Sequence, residues 1–471
     1  MLAGRSPGRG AIMAEPLTPS SESERIETLD LLRGAGVLGI LLMNIYAFSM
    51  PGGAYFSPTV YGGTSILSYA VWIFTYLFAE TKFYSIFSLL FGAGIILFTR
   101  RLEEREVRPR GPYYRRMFSL FFFGIVHAVF LWYGDILLTY AWCGFWLYLF
   151  RRNRVRSLAI AGIVAIGIAL AGMYGFGSLL HYSRSLAEGR PTVEVVADTT
   201  AVADAGVADT AAVEEESLAT GMEELNEGLR EMWEGFRTEF EPTREEVEET
   251  VATYRSDYGT ILLDRLENLA KSTGGALFFF LFAIGGIMLL GMATFKSGIL
   301  TGDRGTGWYG RLAVVGYGFG IPLGILGAVL LFRHDFDVTY RFSNDAVLHG
   351  ISTAGIVAGH VGLLVWIQKR GSLPGLRARL RATGRMAFTN YIMQTLVCTT
   401  LFYGYGFGFY GRLDRPAQML VVVILWLAQL LWSPAWMRRF HYGPMEWLWR
   451  TMTYGTRPPM RRRDPDPAVT P

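Results

Sequence analysis

Two side chains near the end of one apolar segment have the chemistry of a catalytic pair. His127 lies deep in the run RMFSLFFFGIVHAVFLWYGDIL, and Asp135 follows it after a predicted tight turn at Tyr133 and Gly134. An imidazole can accept a proton near pH 7, and a neighbouring carboxylate can orient it. We therefore interpret His127 as a candidate general base and Asp135 as its orienting partner. A histidine that is hydrogen-bonded to a neighbouring helix is the structural alternative.

The first apolar segment, LDLLRGAGVLGILLMNIYAF, carries a polar stripe. At 100° per residue, Asp30, Arg33 and Asn44 fall on one side of the helix. In the functional interpretation this side lines a cavity, with Asp30 and Arg33 at its inner end. Asn44 is then near the depth of His127. In the alternative, Asp30 caps the helix, Arg33 reaches the interface and Asn44 joins two helices.

A second group of polar candidates lies near the C-terminus, in GRMAFTNYIMQ and FHYGPMEWLWRTMTYGTRPP. Glu446 and Arg450 are four residues apart and share one helical face. They form a candidate site for an anionic ligand together with Arg385, Asn390, Gln394 and Trp447. The alternative is a tail helix held to the inner surface by a Glu446–Arg450 ion pair.

Other chemistry-bearing residues indicate packing. His349 and His360 share a face of one apolar segment, but haem ligation usually needs facing helices, so we interpret both as structural. Cys143 and Cys398 are isolated in apolar runs and are expected to be buried. The sequence contains no HExxH or GxxxxGK[ST] motif, which argues against a zinc hydrolase and a P-loop nucleotidase. We predict no metal site and no bound cofactor.

The elements that must position these residues are membrane helices. Of the 471 residues 51% are hydrophobic and 18% charged, and the mean hydropathy is +0.28. Soluble domains carry about 25% charged residues. Ten runs approach the roughly 20 residues that a membrane-spanning helix needs. They lie at about 31–49, 83–99, 116–133, 135–150, 157–180, 274–295, 309–332, 346–367, 385–403 and 417–436. The sequence predicts an all-α polytopic membrane protein with about 10–11 transmembrane helices.

Basic loops predict the orientation of these helices. The loops at 100–116, 151–156 and 369–385 and the tail from Arg438 are rich in arginine, which is typical of cytoplasmic segments. They therefore indicate a membrane side rather than a nucleic-acid partner. A further apolar run at about 64–79 could span, re-enter or lie at the interface. We favour ten spans with an interfacial helix at 64–79 and both termini inside.

One long segment differs in charge from the membrane body. Residues 181–272 carry 22 acidic and 8 basic side chains, against 18 acidic and 36 basic in the rest of the chain. We predict an acidic extracytoplasmic loop that is disordered over 191–217 and helical over about 221–270. It divides the chain into a polar tail (1–28), a first membrane half (29–180), the loop (181–272), a second membrane half (273–440) and a cytoplasmic tail (441–471).

Four motifs carry a resemblance to a known family. They are LDLLRG…GILLMNIYAF, KFYSIFSLLFGAGIILFTRR, FFFGIVHAVFLWYGDILLTYAWCG and GRMAFTNYIMQT…FHYGPMEWLWRTMTYG. In this order they resemble the YeiB-like family of prokaryotic membrane proteins, and the C-terminal half resembles the domain of unknown function 418. The family is distantly similar to transmembrane acyltransferases through the LDxxRG pattern at Asp30, Arg33 and Gly34.

This resemblance implies a function. A cytoplasmic acyl-CoA co-substrate would place its phosphates near Arg33 and Asp30. An envelope glycan or lipid would approach a pocket near Asn44 and Tyr133, with His127 and Asp135 as catalytic residues. One branch of these acyltransferases has a histidine in the first span, where this chain has Asn44, so His127 would have to act as the base.

Two other functions stay open at this stage. Glycine-rich spans with buried polar groups also suit a transporter or exporter of a small metabolite. A non-catalytic scaffold that binds a partner through the acidic loop is the third hypothesis. In all three, the protein is a multi-pass protein of the plasma membrane and its immediate partner is the lipid bilayer.

Overall fold

The computed structural model describes residues 26–190 and 208–462, and this part of the chain is helical apart from loops and one isolated bridge between Phe440 and Arg461. The helices are α1 Glu27–Ser49, α2 Ile66–Phe78, α3 Lys82–Glu104, α4 Arg110–Val126, α5 Leu137–Leu147, α6 Val155–Ala187, α7 Ala208–Phe240, α8 Arg244–Tyr254, α9 Tyr258–Lys296, α10 Thr306–Arg333, α11 Val338–Tyr340, α12 Ala346–Arg370, α13 Pro374–Arg385, α14 Ala387–Phe402, α15 Arg415–Arg439 and α16 Pro444–Tyr454. The predicted all-α class is confirmed.

Eight helical segments within the described ranges are long and apolar enough to cross a membrane. They contain α1, α2–α3, α4, α6, the last part of α9, α10, α11–α12 and α15. Two more of the ten predicted spans correspond to α5 and α14, which have 11 and 16 residues. The chain is therefore a multi-pass membrane protein.

The basic loops gather at one end of the bundle. There the Lys296 ammonium donates to the Arg151 carbonyl at 2.7 Å, and Trp449 donates to the Arg116 carbonyl at 3.1 Å. At the opposite end, the Gly411 amide donates to the Ser49 carbonyl at 2.8 Å. From the positive-inside rule we predict that the first end faces the cytoplasm, and we call it the cytoplasmic end.

The apolar run at 64–79 is neither a separate span nor an isolated interfacial helix. It forms α2, which leads directly into α3 within a single 39-residue apolar segment, Ile66–Glu104. The helix is broken at Ala79–Thr81, where Thr81 has a φ of 64°. The preferred interfacial placement is corrected, because α2 packs along α10 through the edge-on contact of Trp72 with Phe332.

Helix packing in the second membrane half uses a GxxxG motif, which Gly355 and Gly359 form on α12. A Cβ on Gly316 of α10 would lie 2.5 Å from the Gly359 amide nitrogen, and one on Gly355 of α12 would lie 2.9 Å from backbone atoms of Gly320. Such close backbone approach is possible because glycine has no side chain. The two helices therefore form a rigid pair beside α2 and α3.

The acidic segment forms helices over the outer end of the bundle. Of the stretch 191–217 that was predicted to be disordered, residues 191–207 lie outside the described residues and 208–217 belong to α7. The helix α6 continues to Ala187, and α9 begins at Tyr258 and runs unbroken into the membrane. The Tyr258 hydroxyl donates to the Phe130 carbonyl at 2.8 Å, so α9 also covers the loop after α4.

Candidate functional site

A cavity of about 260 Å³ opens from the cytoplasmic end of the bundle. It lies between α1, α3, α4, α5, α14 and α16 and is contiguous with a shallower cavity of about 140 Å³ at its mouth, with which it shares lining residues. Leu90, Phe91 and Met117 line its middle, and Tyr140 and Tyr391 lie at its deep end. The cavity is thus polar at its mouth and apolar within.

Arginines dominate the mouth. The two cavities together are lined by six arginines and two acidic residues, namely Arg33, Arg101, Arg105, Arg116, Arg385, Arg450, Asp30 and Glu446. Asp30 accepts a hydrogen bond from Arg33 at 2.9 Å, and the Arg116 guanidinium lies 3.8 Å from the ring centre of Trp449. This excess of positive charge favours an anionic ligand at the mouth.

Glu446 does not clamp the tail helix through Arg450. Its carboxylate accepts hydrogen bonds from the Phe388 amide at 2.7 Å and from the Thr389 amide at 3.1 Å, and therefore caps the start of α14. The Arg450 guanidinium instead lies 4.8 Å from the ring centre of Tyr442. The predicted Glu446–Arg450 ion pair does not form, because the Glu446 carboxylate instead accepts the hydrogen bonds that cap α14.

The structure brings His127 and Asp135 together. His127 Nδ1 lies 2.9 Å from Asp135 Oδ1, and the two side chains are 1% and 2% exposed. The other carboxylate oxygen of Asp135 accepts from the Leu138 amide at 2.6 Å, which fixes it at the start of α5. His127 Nε2 lies 2.9 Å from the Thr395 hydroxyl. A carboxylate, an imidazole and a hydroxyl thus stand in sequence, as in a proton-relay triad.

The backbone at His127 departs from a regular α-helix. His127–Leu131 forms a π-helical turn after α4, and such turns often occur at functional sites. The ring of Tyr391, at the deep end of the cavity, lies 5.1 Å from the His127 ring. Ile136, which also lines the cavity, is the chain neighbour of Asp135. The cavity therefore ends against the His127–Asp135 pair.

Asn44 and Tyr133 lie on the outer side of this pair. Asn44 is half-buried on α1, and the Tyr133 hydroxyl lies 3.5 Å from the carbonyl of Ala47, one helical turn further along. Trp132 fills the space between them and the pair, with its ring 4.0 Å from that of Phe48. The predicted acceptor residues therefore share one region, separated from the cavity by His127.

Three other sequence candidates serve packing. The Asn390 amide donates to the Thr383 carbonyl, and Gln394 donates to the Val37 carbonyl at 2.9 Å. Trp447 donates to the Pro458 carbonyl at 2.8 Å. The cavity is lined instead by Arg385 and Tyr391 from the same stretch. None of the three residues lines the cavity, and their interpretation as ligand groups stays a prediction.

Sequence reasoning missed two residues of the site. Arg116 was counted among the basic residues that indicate the cytoplasmic side, although it lies within α4 and lines the cavity. Thr395 could not be identified from its neighbours in the sequence. It belongs to the site because its hydroxyl contacts His127, which lies on another helix. Both belong to the site through tertiary contacts.

A separate buried ionic cluster lies at the break between α2 and α3. Arg341 forms ion pairs with Glu80 and Asp345, and Asp345 accepts a hydrogen bond from Tyr76 at 2.7 Å. The Lys82 ammonium lies 3.1 Å from His349 Nε2 in the same cluster. His349 is therefore part of a polar network.

His360 is structural, as the sequence interpretation has it. Its two ring nitrogens lie 2.7 Å from the Tyr317 hydroxyl and 3.0 Å from the Phe78 carbonyl. These contacts join α12 to α10 and to the end of α2.

Comparison with known proteins finds relatives of this chain in bacteria. Residues 294–456 match the family model described as protein of unknown function (DUF418). The chain is 28% identical to the uncharacterized protein YeiB of Escherichia coli, with 91% of this chain and 96% of that protein covered. It is 29% identical to the uncharacterized protein YxaH of Bacillus subtilis, with 95% and 98% covered. No solved structure gives a significant match.

Proposed function

The chain is a YeiB-like membrane protein, and we propose that it transfers an acyl group from cytoplasmic acyl-CoA to a glycan or lipid acceptor on the envelope side of the plasma membrane. One observation carries the proposal. A single cavity begins among arginines at the cytoplasmic end and ends at Tyr391 against the buried His127–Asp135 pair.

The arginine mouth suits the anionic part of the donor. The nucleotide of coenzyme A carries several phosphate charges, and arginine binds phosphate through two parallel hydrogen bonds. Arg33 and Arg116 line both the mouth and the cavity. The cavity of about 260 Å³ fits the narrow, uncharged arm of the donor rather than its nucleotide, which would stay at the mouth.

The buried pair suits the transfer step. His127 takes the proton from an acceptor hydroxyl or amine while that group attacks the thioester carbonyl. The carbon–sulfur bond then breaks, and the imidazolium returns the proton to the coenzyme A thiolate. Asp135 stabilises the imidazolium, since its carboxylate lies 2.9 Å from Nδ1. The products are the acylated acceptor and free coenzyme A.

Binding of radiolabelled acetyl-CoA to detergent-purified protein tests the donor site. We expect saturable binding that weakens about tenfold or more in Arg33→Ala and Arg116→Ala, because each loses a charged contact worth about 1.5–3 kcal/mol. Arg152→Ala is the matched control, since Arg152 is also cytoplasmic but does not line the cavity. It should bind like wild type.

Two results would contradict the donor site. One is no binding to folded wild-type protein. The other is an equal loss in Arg152→Ala and Arg33→Ala, which would indicate general attraction to a basic surface.

Transport of a small metabolite is the second candidate, and the ionic cluster at the α2–α3 break favours it. Broken helices with buried charges are typical of transporter substrate sites. The side chains that meet at the α2–α3 break include three charged residues that are each less than 5% exposed, namely Glu80, Lys82 and Asp345. Substrate flux into liposomes without acyl-CoA, abolished by Lys82→Met, would support transport over acyl transfer.

A further inference from the structure

Buried hydrogen-bond donors without partners lie on the outer side of His127. Arg265 on α9 is 1% exposed, and its Nε and Nη2 atoms have no hydrogen-bond partner among the described residues. The same holds for the indole nitrogen of Trp132 and the hydroxyl of Tyr403, whose side chains are 2% and 0% exposed. Buried polar groups are nearly always satisfied, so a group of unsatisfied donors indicates a missing partner.

These donors belong to one region. Arg265 Nη1 donates to the Val129 carbonyl at 2.9 Å, in the π-helical turn that begins at His127. Trp132 lies at the end of that turn, with its ring 6.3 Å from that of His127. Trp132 and Tyr403 are members of the same buried cluster. The Arg265 guanidinium also interacts electrostatically with the Tyr403 hydroxyl.

The region lacks a protein anion to pair with Arg265. No carboxylate within the described ranges lies within ion-pair distance of its guanidinium. The nearby Asp264 carboxylate accepts a hydrogen bond from the Asn268 amide at 3.2 Å. The Asp264 carboxylate interacts electrostatically with Arg265 but forms no direct ion pair with it. A buried cation without a direct ion-pair partner is costly, so its retention here indicates that a ligand supplies further negative charge.

We propose that Arg265, Tyr403 and Trp132 bind a phosphate-type oxyanion on the extracytoplasmic side of His127. The Nε–Nη2 edge of arginine is a fork that holds two oxygens of one anion. Donors from two other loops, at Trp132 and Tyr403, fit a third oxygen, which a phosphate group has and a carboxylate lacks.

This site would identify a chemical feature of the acceptor in the proposed acyl transfer, and its functional interpretation rests on that proposal. It implies that the acceptor carries a phosphate group close to the hydroxyl or amine that is acylated. A phospholipid headgroup and a phosphorylated glycan both have this chemistry. Binding of the anion does not need acyl-CoA, so it can be tested independently of the reaction.

The test measures the thermal unfolding midpoint of detergent-purified full-length protein with three probes. They are inorganic phosphate at constant ionic strength, short-chain phosphatidic acid in mixed micelles, and uncharged diacylglycerol of the same chain length. We expect a phosphate-bearing probe to raise the midpoint by about 2–4 °C and diacylglycerol to leave it unchanged. A shift with inorganic phosphate indicates a site open to water. A shift with phosphatidic acid alone indicates a lipid as the source.

Two variants identify the site. Arg265→Met and Tyr403→Phe should lose most of the shift, and Tyr403→Phe should be as stable as wild type without ligand because its hydroxyl has no partner. Arg244→Gln is the control, since Arg244 is an exposed arginine on α8 paired with Glu248. No shift in wild type, or an equal shift in Arg265→Met, would overturn the proposal.

Discussion

At the scale of single residues, the account depends on how His127 is held. Its two ring nitrogens lie 2.9 Å from Asp135 and 2.9 Å from Thr395, so the imidazole is fixed from both sides. Such contacts decide which nitrogen carries the proton and therefore which one can act as a base. Thr395 is a positioning residue in this view, because it acts on the substrate through His127.

Substitutions of Thr395 test this positioning. We expect Thr395→Val to lower the rate of acyl transfer about tenfold or more, since the valine cannot bond to Nε2. Thr395→Ser keeps the hydroxyl and should restore most of the rate. The pH profile of the transfer rate should shift in Thr395→Val and stay unchanged in Thr395→Ser. Equal rates in both variants would show that the hydroxyl has no role.

The residue scale also shows where sequence reasoning succeeds. His127 and Asp135 were identified because an ionisable group in an apolar helix and an acid in the next turn are both unusual. The sequence does not decide the roles of Asn390 and Gln394, because a buried amide looks the same in sequence whether it binds a ligand or a backbone carbonyl. Their roles are decided by Thr383 and Val37, which lie on other parts of the chain.

At the scale of elements, the close pair of α10 and α12 gives a direct test of the packing. Gly316→Ala places a methyl group 2.5 Å from the backbone of α12, whereas Gly318 on the same helix has nothing within 4 Å of the equivalent position. We expect Gly316→Ala to lower the free energy of unfolding by about 1–3 kcal/mol. Gly318→Ala should leave it unchanged or raise it slightly. Thermal unfolding in one detergent compares the two, and equal stabilities would contradict the packing.

The elements themselves were largely predictable from the sequence. Runs of apolar residues located the helices that cross the membrane, because the bilayer imposes length and composition on each of them. The sequence located the interruption between the runs at 64–79 and 83–99, but not the backbone geometry and tertiary contacts of this break between α2 and α3. The break has a positive φ at Thr81 and contacts a cluster of charged side chains. Two members of that cluster, Arg341 and Asp345, lie in the turn directly before α12.

At the scale of the whole molecule, the two ends of the bundle bind different substrates in this account: the donor enters from one end and the acceptor from the other. The cytoplasmic end gathers arginines around a cavity, and the outer end is covered by the helices of the acidic segment. His127 lies between them, 1% exposed. Acyl transfer across the membrane therefore requires the donor and the acceptor to meet at His127 from opposite sides.

The most direct test of this central claim follows the label from acetyl-CoA carrying a radioactive acetyl group. Membrane vesicles with exposed cytoplasmic faces are supplied with this donor, and the label is measured in their lipid and glycan fractions. The account predicts transfer in wild type and a loss of about 10²-fold or more in His127→Gln. His334→Gln, which alters a histidine in the loop after α10, should behave like wild type. Undiminished transfer in His127→Gln would contradict the account.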